Sequence, residues 1–168
     1  MLRTTEQMLK EFREEVATTK RVLERVPADK LAWKPHEKSM SLGQLALHVA
    51  SIPGGISRIA QLEEFDVAQA NFNPPGAKNV GEIQSALQES VRTAEECLSG
   101  MSEERASGNW RLMTGGKQIF SRPRVEVLRS IMLNHWYHHR GQLSVYLRML
   151  DVPLPVIYGR SADENPFA

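Results

Sequence analysis

The chain reads as an all-α four-helix bundle, and three observations carry that reading. Four segments of comparable length place apolar residues at steps of three and four, and proline- and glycine-rich stretches separate them. The 168 residues fit one domain, spanning 1–168, with enough chain to bury a core without staples. Helices that each carry one apolar stripe must bury it against one another, which is what a bundle does.

The first helix is expected from about Thr5 to Arg25, where Met8, Phe12, Val16, Thr19, Val22 and Leu23 follow helical steps between charges. Pro27 ends it, and Ala28 to Leu31 reads as a short turn. Ser41 followed by Gln44 is a capping box opening a second helix towards Glu64, with Leu45, His48, Val49 and Ile52 on one face. Pro53-Gly54-Gly55 lies inside that helix and predicts a kink rather than a stop, because Ile52, Ile56, Ile59, Ala60 and Glu63 continue the same face. A long connection follows, in which Asn71-Phe72-Asn73-Pro74-Pro75-Gly76 has little helical tolerance. Asn79 with Glu82 caps a third helix carried by Ile83, Ala86, Leu87, Val91, Ala94 and Leu98 and ending near Gly100. Between Ser102 and Ser121 the period is lost, and Trp110 to Met113 and Lys117 to Phe120 flank Thr114-Gly115-Gly116 as a small hairpin. Pro123 suits the first turn of a last helix that runs to about Leu150. The apolar, proline-interrupted tail from Val152 to Arg160 is expected to pack over the bundle.

The last helix carries the chemistry. Leu128, Met132, His135, His139, Gln142, Tyr146 and Met149 form one stripe, so His135 and His139 sit nearly above each other and both imidazoles reach a single point. A buried polar group without a partner costs about 1–3 kcal/mol, so these residues need hydrogen bonds, water or a ligand. His48 points inward from the second helix, and three imidazoles converging in a bundle would form a metal shell with a position left for water or substrate. The competing reading is three core histidines bonded to backbone carbonyls. Zinc and nickel suit all-nitrogen ligation best, and iron, manganese or copper are compatible with it. Three neutral imidazoles leave a dication uncompensated, so a bound water or thiol would be acidified, as a hydrolase or thiol transferase requires.

The neighbours of the pair have smaller parts. Gln142 is expected either to support a histidine or a metal-bound water, or to form an interhelical hydrogen bond. Arg140 is expected to pair with an anionic substrate or with a helix carboxylate, and Trp136, Tyr137 and Tyr146 to pack. His138 is turned about 100° from His139 around the axis, so it is expected outside the shell, and His36 lies in a loop. Cys97 stands beside acidic residues that raise a thiol pKa, and reads as a packing residue.

Lys plus Arg number 21 against 20 for Asp plus Glu, so a formal charge of +1 offers no field to hold nucleic acid. No apolar run approaches the roughly 20 residues that span a bilayer, and residues 1–6 lack the apolar core of a signal peptide, so a cytoplasmic protein is expected, with neither membrane nor nucleic acid as partner.

Residues 39–48, Ser-Met-Ser-Leu-Gly-Gln-Leu-Ala-Leu-His, together with residues 134–143, Asn-His-Trp-Tyr-His-His-Arg-Gly-Gln-Leu, resemble the DinB family of the DinB/YfiT superfamily, and the stretch from Leu147 to Glu164 is similar to that family's C-terminal part. The resemblance implies a four-helix bundle, often a homodimer, with a divalent metal ion held by His48, His135 and His139. It also implies a small thiol as a candidate substrate, because some members of the superfamily are thiol-dependent S-transferases or isomerases. Other members have no established reaction, so a non-catalytic metal-binding or stress-response module is the alternative, and a metal-free helical interaction protein is a third. No catalytic side chain is assigned. The loops Asn71 to Asn79 and Ser102 to Ser121 are expected to line the mouth of the site.

Overall fold

A computed structural model describes residues 4–167. Helix α1 (Thr4–Leu23) buries Met8, Phe12, Thr19, Val22 and Leu23 as the spacing predicts. Its start is tied to the far side of the chain, since the Thr5 backbone N–H and hydroxyl donate to the Glu103 carboxylate at 3.0 and 2.7 Å. A single 3-10 turn (Ala28–Lys30) leads to α2 (Leu42–Ala60). Ser41 Oγ accepts the Gln44 N–H at 3.2 Å and Gln44 Oε1 accepts the Ser41 N–H at 2.9 Å, the expected capping box.

Helix α2 continues unbroken through Pro53 but stops at Ala60 rather than near Glu64. Arg124 explains the early stop. Its buried guanidinium donates to the carbonyls of Ala60 and Leu62 at 3.1 and 3.2 Å and to the Glu63 carboxylate at 2.7 Å, satisfying the last carbonyl of the helix and one in the turn that follows. The residues expected to extend the helix become strand β1 (Glu64–Asp66), followed by a 3-10 turn (Val67–Gln69).

Helix α3 (Val80–Ser99) begins at its expected cap, with Asn79 Oδ1 accepting the Glu82 N–H at 2.9 Å. It packs against α2 at one close point, where Gly54 donates its N–H to Ser90 Oγ at 2.7 Å. A Cβ on Gly54 would stand 2.7 Å from Ser90 Cα, so only glycine allows this approach.

The irregular segment is more ordered than expected. A short α4 (Glu103–Ser107) precedes β2 (Asn109–Thr114) and β3 (Lys117–Pro123), an antiparallel hairpin turning on Gly115 and Gly116 at φ 53° and 78°. β1 joins β2 in parallel, giving a three-stranded sheet in the order β1-β2-β3 that the periodicity did not announce. The Asp66 carboxylate closes this sheet by accepting the N–H groups of Gly115 and Gly116 at 3.1 and 3.2 Å.

The last helix starts after Pro123 with one α turn, α5 (Arg124–Val127), passes through a π-helical stretch (Leu128–Asn134) and continues as α6 (His135–Met149). The tail lies over α1 and α6, as expected. Arg21 donates to the Val156 carbonyl, Arg25 pairs with Glu164, each at 2.8 Å, and Arg148 pairs with Asp163. One apolar cluster, including Phe12, Leu45, Val49, Ile83, Leu98 and Trp136, joins α1, α2, α3 and the last helix. Among the described residues no helix is long and apolar enough to cross a membrane.

The two adjacent glycines of α2 give a paired prediction. Gly54→Ala must push α2 off α3 and is expected to destabilise the fold by about 1–3 kcal/mol in urea denaturation. Gly55 faces open space, so Gly55→Ala is expected to stabilise by about 0.5–1 kcal/mol.

Candidate metal centre

The π-helical stretch determines which side chains of α6 face the core. An i→i+5 turn takes up one residue more than an α turn, so the buried face advances by one position as the chain passes through it. Before and within the stretch the buried residues are Arg124, Val127, Leu128, Met132 and Leu133; downstream they are Trp136, Arg140, Leu143 and Leu147. The stripe expected from a uniform helix, His135, His139, Gln142, Tyr146 and Met149, is thereby rotated off the centre onto the flank that meets α2, with Gln142 and Met149 exposed. The histidines are half-buried at the edge of the bundle, not in its middle.

On that flank the three sequence-predicted ligands meet. His48, His135 and His139 each present a ring nitrogen, and these nitrogens lie within 4.8 Å of one another. His48 Nε2 and His135 Nε2 are 3.4 Å apart, and the ring centroids are separated by 5.2, 4.5 and 4.6 Å. Two nitrogens bound to a tetrahedral ion at about 2.0–2.1 Å stand about 3.3–3.4 Å apart, so this spacing fits one edge of such a shell. No aspartate, glutamate or cysteine among the described residues joins the group. Neither the stretch from Ser39 to Gln61 nor that from Val127 to Leu150 contains an acidic residue.

The surroundings keep the rings neutral and orient them. Burial pushes the His48 pKa down to about 4, with His139 and His135 adding to the effect. Burial also lowers His135, against a backbone hydrogen bond at Ile131 that works the other way, and lowers His139 against its bond to Gln142. Neutral imidazoles with free lone pairs are the form that binds a metal ion. His139 Nδ1 lies 2.7 Å from Gln142 Oε1, and since an amide oxygen only accepts, Nδ1 carries the proton and Nε2 is left for coordination. Gln142 therefore supports a histidine one turn away in its own helix and makes no interhelical bond in this role.

The other expected residues fall as follows. His138 is exposed and outside the cluster, its ring 4.9 Å from that of His139, and His36 is exposed with Nδ1 accepting the Lys38 N–H at 3.1 Å. Arg140 takes the carboxylate option, but as a buried residue rather than a surface one: it pairs with Glu15 of α1 at 2.6 Å, donates to Thr19 Oγ1 at 3.0 Å and to Tyr158, and stacks over Tyr137 and Tyr158. Tyr146 packs edge-on against Trp33 and donates to the Met40 carbonyl at 3.3 Å. Cys97 is partly buried, and burial raises its thiol pKa, with Glu96 adding and Arg58 opposing.

Of the two loops expected at the mouth, only one comes near. Gln44, one turn before His48, donates to Asn73 Oδ1 at 3.3 Å and to the Pro74 carbonyl at 3.0 Å, which seats the Asn71 to Asn79 loop beside the site. The hairpin does not reach it, because Trp110 docks on the Ile59 carbonyl at 3.2 Å, roughly 16 Å along α2 from His48.

Trp136 packs as expected and has a second, polar part. It fills the core beside Phe12, with ring centroids 5.5 Å apart, and its indole N–H donates to the Val49 carbonyl at 2.9 Å. The signal was present: Pro53 lacks the N–H that would have bonded the carbonyl four residues before it, which is Val49.

The Gln142 contact yields a prediction that needs no metal. In the metal-free protein, imidazole nitrogen shifts are expected to show His139 held with the proton on Nδ1, and Gln142→Leu to return it to a mixture of tautomers. An unchanged spectrum in the variant would remove Gln142 from this role.

The DinB family model matches residues 1–165. The chain is 23% identical over 168 residues to the uncharacterized protein YrdA of Bacillus subtilis (strain 168), covering 98% of this chain and 93% of the relative. Two solved structures share the fold. One is the DinB-like protein YjoA of Bacillus subtilis, at 20% identity and TM-score 0.68, covering 92% of this chain and 99% of its own. The other is a DinB-like protein from Bacillus cereus ATCC 10987, at 21% identity and TM-score 0.69, covering 91% and 97%. With the family model spanning nearly every residue and the helical architecture common to both structures, the chain belongs to the DinB family.

Proposed function

We propose that His48, His135 and His139 hold a divalent metal ion, zinc or nickel ahead of iron, manganese or copper, and that the centre serves a metal-dependent enzyme acting on a small thiol by transfer, or on a water-labile bond by hydrolysis. One observation carries the reading: three half-buried imidazoles from two helices converge within 4.8 Å, and no carboxylate or thiolate among the described residues joins them. That donor set leaves a coordination position and the ion's whole charge to an outside ligand, which favours an anion such as a thiolate or hydroxide. When bound, the ion would act as a Lewis acid that lowers the pKa of a coordinated thiol or water. The chain's own part is to keep three lone pairs available, to hold His139 in one tautomer through Gln142, and to seat the Asn71 to Asn79 loop beside the opening through Gln44.

A second reading, a metal-binding module without turnover, is favoured by one fact. Two cavities, of about 400 and 560 Å³, lie away from the histidines, the first beside Met8, Arg122 and Arg129 and the second between α1 and α3 beside Val16, Leu23 and Leu87. A homodimer accompanies both readings through the family resemblance, and the outward face of α6, with Val145 and Met149 more than half exposed, offers apolar surface for it; a cytoplasmic location goes with either.

Elemental analysis of untagged protein is expected to find one divalent ion per chain, or uptake of one from zinc or nickel. His48→Ala is expected to abolish that binding while the helical circular dichroism is retained. Protein that neither carries nor takes up metal would leave the histidines as hydrogen-bonded packing residues. Cobalt-loaded protein mixed with a low-molecular-weight thiol then separates enzyme from closed module, since a sulfur-to-cobalt charge-transfer band is expected only where sulfur reaches the ion.

A further inference from the structure

We infer that Trp136 and Pro53 form a positioning device for the three-histidine centre; the inference rests on the metal assignment above and goes beyond it. In an ordinary helix the N–H of residue 53 would bond the Val49 carbonyl, but proline has no N–H, so that carbonyl is open in the middle of a buried face. The indole of Trp136 occupies it at 2.9 Å. Val49 directly follows His48, and Trp136 directly follows His135. The bond therefore joins the two ligand-bearing helices at the height of the ligands, and it does so from the core side, leaving the metal side free. Phe12 of α1 packs on the indole and holds the ring in the plane the bond needs.

The geometry makes the two residues a pair. With any other residue at 53, a backbone N–H inside α2 would compete for the carbonyl, and the indole would lose its exclusive acceptor. With a side chain at 136 that has no donor, the carbonyl would be buried without a partner. In either case α6 could slide or roll against α2, and His135 and His139 would move relative to His48. Neither Trp136 nor Pro53 touches the ion; both act through the helices that carry its ligands.

The test compares stability and metal affinity, which this arrangement separates. Cobalt and zinc dissociation constants, measured by chelator competition, and the cobalt d–d spectrum are followed beside urea denaturation of the metal-free protein. Trp136→Phe is expected to weaken metal binding about tenfold or more and to shift the cobalt spectrum, an effect of the size seen when groups supporting metal ligands are removed. Leu98→Ala, buried at the end of α3, where the neighbouring Cys97 carbonyl accepts from Gln61, thirteen residues beyond His48, is expected to lower the denaturation midpoint while leaving affinity within about twofold, since a distant cavity costs stability without moving the ligands. Adding Pro53→Ala to Trp136→Phe returns a backbone N–H to the Val49 carbonyl. That double variant is expected to regain denaturation midpoint without regaining affinity. Should Trp136→Phe not fold, Pro53→Ala alone keeps the indole but gives it a competitor, and is expected to bind metal severalfold more weakly with no loss of midpoint. Wild-type affinity and spectrum in Trp136→Phe, or affinity that recovers in step with stability in the double variant, would overturn the inference while leaving the metal site standing. A wild-type protein that binds neither cobalt nor zinc would overturn the metal site itself.

Discussion

The structure depends on holding α2 and the antiparallel last helix at a fixed relative height. Two of the bonds that do this end on carbonyls of α2. Arg124 takes the Ala60 carbonyl at one end, and Trp136 takes that of Val49 further along. Eleven residues of α2 separate those carbonyls, whereas twelve residues of the last helix separate the two donors. The π-helical stretch between Arg124 and Trp136 accommodates the additional residue, so the helix meets both anchors without a break. The same turn rotates the core face from Met132 to Trp136 and brings the histidines onto the α2 flank. Anchoring, face and site are consequences of one register.

Arg124 extends this constraint to the rest of the chain. Besides closing α2, its guanidinium reaches the carbonyls of Arg105, Gly108 and Asn109, so it also closes α4 and opens β2. A guanidinium has enough donors to satisfy several helix and strand ends at once, which a lysine does not. Arg140 plays a comparable part along α1, where Glu15, Thr19 and Tyr158 surround it and the C-terminal tail is drawn in through Tyr158. Two buried arginines thus connect the irregular parts of the molecule to a regular bundle.

Much of this was legible in the residues. Ser41 with Gln44, Asn79 with Glu82, and Gly115-Gly116 act over a few residues, and each formed the cap or turn its chemistry dictates. The three histidines were legible as a set because two stand four apart and the third follows a well-marked cap. What failed to show depends on distant partners. Glu64 to Asp66 has no strand pattern of its own and pairs only because β2 lies beside it, and α2 ends early only because Arg124 arrives from far along the chain. The depth of the histidines was misplaced for a subtler reason. A stripe drawn from Leu128 to Met149 assumes one helical period, while the chain changes period at Leu128–Asn134, so residues on either side of that stretch belong to different faces. Arg140 entered the core, and Gln142 left it, by that same one-residue step.

The absence of acidic residues from both histidine-bearing stretches has a consequence for selectivity among solutes. A dication on three neutral rings, with no fixed anion on either of those stretches, would become electroneutral only by recruiting negative charge from solution. Every molecule reaching the ion would then compete with hydroxide and with the small anions of its surroundings, and neutral compounds would enter at a disadvantage unless they could shed a proton on arrival. The helices would thus sort ligands by acidity before any contact with their shape. Such a centre would favour groups whose conjugate bases are soft and easily formed near neutral pH, and would make the ambient salt a competitor for the site rather than a spectator.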